Sequence, residues 1–102
     1  MKTKMSVVSI ALLLAMPAFG SGADLYAKHC VSCHGADGKG QTVMGKKLKL
    51  LDYSTAEGQK WSDAEGVKAI LEGKDKMKAY KDKGVTEADA KELVKHVRSF
   101  KK

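Results

Sequence analysis

The chain has 102 residues, two cysteines, one proline and three histidines, with 19 basic against 12 acidic side chains and a net charge of +7. That length excludes more than one domain. The opening residues exclude a cytosolic role. A basic start, Met1-Lys2-Thr3-Lys4, leads into an apolar run from Val7 to Ala15 and ends on the small residues Ala18-Phe19-Gly20-Ser21-Gly22. This is the pattern of a secretory leader, and the apolar run is too short for a bilayer span, which needs about 20 residues. Residues 1–20 therefore read as a leader cleaved near position 20–23, with residues 21–102 as the exported domain, expected in the periplasm. Export also argues against a nucleic-acid partner despite the basic balance. A domain this small hides only about 60% of its unfolded-chain surface, and such scaffolds usually add disulfides, a metal or a cofactor. Past the leader only five aromatic side chains remain: Tyr26, Tyr53, Trp61, Tyr80 and Phe100.

The first predicted helix starts at Ser21-Gly22-Ala23-Asp24, with Ser21 as N-cap. It runs into Cys30-Val31-Ser32-Cys33-His34. A disulfide across so short a loop stabilises little, because the effect grows with loop length. A thioredoxin-like pair needs a βαβ context and gives no reason for the histidine. A structural zinc site needs four ligands, and the partners at zinc-finger spacing are missing. Covalent haem attachment uses all the motif residues. Two thiols one helical turn apart reach two vinyl groups, and the adjacent imidazole serves as proximal iron ligand. Haem c on Cys30 and Cys33 with His34 on the iron is the favoured reading, and a redox or disulfide pair is the remaining alternative.

Between this motif and Trp61 no regular pattern stands out, and Lys46-Lys47-Leu48-Lys49-Leu50-Leu51 reads as loop side chains covering the haem. Ser62-Asp63-Ala64-Glu65 is a capping box. It opens a helix with Ala64, Val67, Ile70 and Leu71 on one face, and Gly73 suits its stop. Thr86-Glu87-Ala88-Asp89 opens the last helix, in which Ala90, Leu93, Val94, Val97 and Phe100 hold a helical period. No repeat appears and no segment reads as a sheet strand.

The run Leu25-Tyr26-Ala27-Lys28-His29-Cys30-Val31-Ser32-Cys33-His34-Gly35-Ala36-Asp37-Gly38-Lys39-Gly40 resembles the opening of a class I monohaem cytochrome c, closest to the small bacterial and c6-like members. The resemblance covers the chain from about Ser21 to Phe100. It implies an all-α fold of three to five helices around one covalently attached haem, with the first and last helices crossing. Leu25 and Tyr26 would meet Leu93 and Val97 at that crossing, and His96 would pack there.

The resemblance also bears on the second axial ligand, for which Met44, Met77, His29, His96 and the lysines are candidates. His29 lies on the tethered proximal segment. Met44, ten residues past His34, leaves little chain to wrap the porphyrin, whereas Met77 is 43 residues past it. The related chains place a loop methionine before the last helix, as Met77 stands here. They often carry a proline after it, where this chain has Lys78, which predicts a looser loop. Trp61 is expected either to donate its indole N–H to a haem propionate or to pack as a core residue. Tyr80 is expected to pack beside the haem or to anchor the Met77 loop. The second ring nitrogen of His34 needs an acceptor, expected from a backbone carbonyl in the 35–50 loop.

With both axial positions filled no site remains for a substrate, so the expected function is one-electron transfer between other redox proteins by a monomeric carrier, not catalysis. Lys74, Lys76, Lys78, Lys81 and Lys83 around Met77 point to partners with acidic docking surfaces. The alternatives are a haem subunit acting only within a larger redox complex, or a gas sensor or peroxidase-like protein with a labile sixth ligand.

Overall fold

The computed structural model describes residues 21–102, so residues 1–20, where a leader is expected, lie outside the described residues. Five helices follow one another: α1 (Gly22–His29), α2 (Val31–His34), α3 (Val43–Leu48), α4 (Asp63–Glu72) and α5 (Glu87–Arg98). Short 3-10 turns lie at Glu57–Gln59 and Lys81–Lys83. Among the described residues there is no named strand; a single antiparallel bridge pairs Lys74 with Met77.

Local chemistry sets most boundaries. The Ser21 hydroxyl accepts the Asp24 N–H at 3.1 Å and starts α1. Ser62 and Glu65 form a reciprocal capping box on α4, and Thr86 and Asp89 form another on α5. Each satisfies amide groups that a helix start otherwise leaves unpaired. Gly73 ends α4 with φ +82°, a conformation that side chains disfavour.

The expectation of irregular loops between the motif and Trp61 is corrected by α3. Thr42 Oγ1 accepts the Gly45 N–H at 2.8 Å and also donates to the Cys33 carbonyl at 2.6 Å. One hydroxyl thus caps α3 and docks it on α2. Lys49, at φ +57°, closes α3 in the left-handed conformation.

The core sits where α1 crosses α5 and α5 meets α4. Tyr26, Val85, Ala90, Leu93, Val94 and Val97 are buried. Leu25, Val67, Ile70, Leu71 and Phe100 pack against this cluster from its edge. The crossing is close because Gly22 lies directly against the Glu92 carbonyl, where a methyl group would overlap backbone atoms. Forcing extra volume into such a contact costs about 1–3 kcal/mol. Gly22→Ala is therefore expected to destabilise the protein by about that amount, read as a lower urea midpoint with an unchanged slope.

Candidate haem-attachment site

The motif is presented by a break between two short helices. At Cys30 the backbone leaves α1 with its N–H still bonded to the Tyr26 carbonyl at 2.8 Å. The His34 N–H then bonds the Cys30 carbonyl at 2.9 Å, so Cys30, Cys33 and His34 share one turn. Gly35 ends that turn at φ +83°. Its carbonyl accepts the buried Tyr26 hydroxyl at 2.7 Å, fixing the chain immediately after His34 to the α1–α5 crossing.

Both cysteines are free and partly buried. Burial, with Cys33 nearby, pushes the Cys30 thiol up to about 11, so it stays neutral at physiological pH. Burial lowers the pKa of His34 and keeps its imidazole neutral as well. Neutral sulfur suits a thioether, and a neutral imidazole suits a metal.

Tyr53 stacks on the His34 ring at 5.3 Å between centroids, and Trp61 meets Tyr53 edge-on at 6.0 Å. The Tyr80 hydroxyl reaches the His29 carbonyl at 3.3 Å, one residue before Cys30. Burial raises the Tyr80 phenol, and Cys30 and Cys33 add to the effect.

The sequence expectation of a carbonyl for the second His34 ring nitrogen is not met. Nδ1 is buried with no hydrogen-bond partner. Nearby loop carbonyls serve other donors: Gly35 accepts from Tyr26 and Gly38, and Gly38 accepts from Tyr53. A buried imidazole beside two free thiols one turn apart, within an aromatic surround, fits a covalently held haem. Among the described residues no three His, Cys, Asp or Glu side chains gather as a metal cluster, which does not suit a structural zinc.

The remaining candidates fall in different places. Met77 is partly buried, and its N–H and carbonyl both bond Lys74, at 2.8 and 3.2 Å. Met44 is 42% exposed on α3. His96 packs at the helix crossing, 5.0 Å from both Tyr26 and Phe100. The indole N–H of Trp61 donates to the Gly58 carbonyl at 2.7 Å.

Sequence reasoning missed Arg98. Its guanidinium lies 3.9 Å over the Trp61 ring. It donates to the carbonyls of Trp61 at 2.6 Å and Gln59 at 3.0 Å, and to the Asp63 carboxylate. Gln59 in turn donates to the carbonyls of Tyr53 and Val97. These partners lie 35 or more residues from Arg98, so no local pattern could have shown them.

Residues 17–97 match the family described as Cytochrome C oxidase, cbb3-type, subunit III. The chain is 42% identical over 73 residues to cytochrome c-553 of Desulfomicrobium norvegicum, covering 71% of this chain and 76% of that protein. It is also similar to the solved KustC0563 c-type cytochrome, with TM-score 0.74 and 40% identity over 80% of this chain and 99% of the other. A point mutant of that cytochrome superposes with TM-score 0.71 at 38% identity, over 79% and 99%. The chain belongs to this family of c-type cytochromes, and its covalent cofactor is haem c.

Because Arg98 uses its planar fork on several carbonyls at once, lysine cannot replace it. Arg98→Lys is expected to cost about 2 kcal/mol of stability, measured by urea unfolding.

Proposed function

We propose that this protein is an exported one-electron carrier of the periplasm, with one haem c on Cys30 and Cys33 and with His34 and Met77 as axial ligands. The observation that carries the reading is the turn Cys30–His34: two free thiols and an adjoining buried, neutral imidazole brought onto one turn of helix. Bound haem supplies a one-electron iron couple, and a His/Met pair raises its potential relative to two histidines.

The chain's own residues supply the rest. Cys30 and Cys33 fix the group against α2. Tyr53 and Trp61 shield the His34 side from water by packing, since the Trp61 donor is engaged by Gly58. Met77 sits in a segment whose backbone is fixed by Lys74 and by Gly73, which supports it over the exposed Met44. With both axial positions filled, the site offers no place for a substrate, so the protein is a carrier and not an enzyme. Lys74, Lys76, Lys78, Lys81 and Lys83 are all exposed around Met77. They form a basic surface suited to acidic faces of redox partners. No helix among the described residues is long and apolar enough to cross a membrane.

One observation favours a second reading, a haem subunit docked in a larger complex. Val43, Met44 and Leu51 are exposed at 88%, 42% and 49%, all within one short stretch beside the motif, and the matched family is described by an oxidase subunit.

The ligand assignment is tested by absorption spectra of protein matured in a periplasm. The expected spectrum is low-spin, with the weak far-red band of sulfur bound to ferric iron, lost in Met77→Ala and kept in Met44→Ala. The same band persisting in Met77→Ala would overturn the assignment. For the carrier role, the chain is expected to be recovered alone, and its electron-transfer rate with a partner is expected to fall as salt rises. Recovery only within a membrane complex would establish the second reading.

A further inference from the structure

The segment carrying Met77 is more firmly held than its sequence suggests. Lys78 stands where related chains often have proline, and the residues around it are mostly charged, which reads as a loose loop. In the structure the segment is fastened at both ends. Behind Met77, Gly73 lies so close that an added methyl group would come within 2.7 Å of the Met77 carbonyl. Lys74 and Met77 exchange two backbone hydrogen bonds around Asp75, which takes φ +53°.

Beyond Met77 the fastening is Tyr80, and each of its polar atoms has a partner. Its N–H donates to the Ile70 carbonyl of α4 at 2.9 Å. Its carbonyl accepts the N–H groups of Lys83 at 2.9 Å and Val85 at 3.2 Å, and Val85 is part of the buried core. Its hydroxyl donates to the His29 carbonyl at the end of α1, and its ring lies edge-on to the His29 imidazole at 5.5 Å. Among the described residues, that hydroxyl makes the one hydrogen bond joining residues 73–83 to residues 22–35.

We infer that Tyr80 is a positioning residue: its hydroxyl ties the Met77 segment to the segment bearing Cys30, Cys33 and His34, and so sets how readily an outside ligand displaces the Met77 sulfur. The inference rests on the reading of Met77 as axial ligand. Its logic is geometric. Attachment to α4 and to the core relates the segment to α1 only through side-chain packing, by way of Tyr26 in the same core. The bond to His29 is what fixes it relative to the strand of chain that anchors the haem. Removing the hydroxyl leaves the ring, the backbone bonds and the turn in place, but lets the two segments separate more easily. At 3.3 Å the bond is long for an O–H donor, so a modest effect is expected.

The test is displacement of the sulfur in the holoprotein by added imidazole, followed at the far-red band. Tyr80→Phe is expected to keep the band without imidazole but to bind imidazole about fivefold more tightly, the equivalent of one ordinary hydrogen bond of about 1 kcal/mol. Arg98→Lys serves as the control. It loosens the fold through contacts that do not touch residues 73–83, and is expected to leave imidazole affinity unchanged. Wild-type affinity in Tyr80→Phe would overturn the inference, as would an equal rise in Arg98→Lys, which would make the effect one of general loosening. If the wild type shows no sulfur band, the reading of Met77 falls and this inference with it. If the band is present and Tyr80→Phe behaves as wild type, the axial reading stands and only the positioning role falls.

Discussion

The hydroxyl of Tyr26 joins the two things this fold has to do. Its ring, 2% exposed, is held where α1 crosses α5, in a mutual cluster with His96 and Phe100 at 5.0 and 5.2 Å. Its hydroxyl holds the Gly35 carbonyl just after His34. The helix crossing and the orientation of the motif are therefore one structural decision. The crossing itself depends on Gly22, whose missing side chain lets α1 come against the backbone of α5. Burial raises the Tyr26 phenol well above its ordinary range, so the hydroxyl remains a donor at any physiological pH.

Around that crossing one core cluster has a buried centre and a half-buried rim. Leu93, Ala90 and Val97 lie at its buried centre. Cys30, Tyr53, Trp61 and Tyr80 pack against it while only partly buried. A chain of this length has few aliphatic side chains to bury, and Tyr53, Trp61 and Tyr80, three of the five aromatic residues of the described domain, lie on that rim. Size and cofactor are linked: covalent attachment at two points of one turn makes the group part of the hydrophobic interior, which a domain this small otherwise struggles to build.

What could be read from the sequence was what is local. The N-caps at Ser21, Ser62 and Thr86, the stop at Gly73 and the apolar face of α5 all depend on neighbours within four residues, and they appear as expected. The motif is equally local, since spacing alone brings Cys30, Cys33 and His34 onto one turn. Helix α3 was not legible. It is only six residues long, contains Gly45 and two lysines, and shows no apolar period; a hydroxyl from Thr42 on the Cys33 carbonyl makes it worth forming. For Trp61 two readings stood open, a donor to a propionate and a packing residue, and the indole N–H is engaged locally by the Gly58 carbonyl three residues away. Arg98 lay beyond pattern reading altogether, and Tyr80, though singled out near the Met77 loop, could not be given its partner at His29, because in both cases the partners come from elements far apart in the chain.

Under the proposed carrier role, the hydroxyl–carbonyl bonds around the motif share a purpose. A centre that gains and loses one electron works fastest when its surroundings need little rearrangement, so its ligands have to be held by groups that do not themselves move. The bonds described here do this on several sides of the motif. Tyr26 fixes the chain after His34, Thr42 fixes Cys33 to α3, and Tyr80 fixes the end of α1 to the segment after Met77. Each uses a side-chain hydroxyl on a backbone carbonyl. None adds charge next to the site, so the order is gained without adding to the electrostatic work of changing the oxidation state. The lysines are kept at the exposed surface around Met77, where water screens them from the centre while leaving them open to the acidic partner face that the proposed role calls for. On that reading rigidity and recognition fall to different residue types, neutral hydroxyls within and ammonium groups without, and a domain of this size can serve both because the two sets do not compete for the same positions.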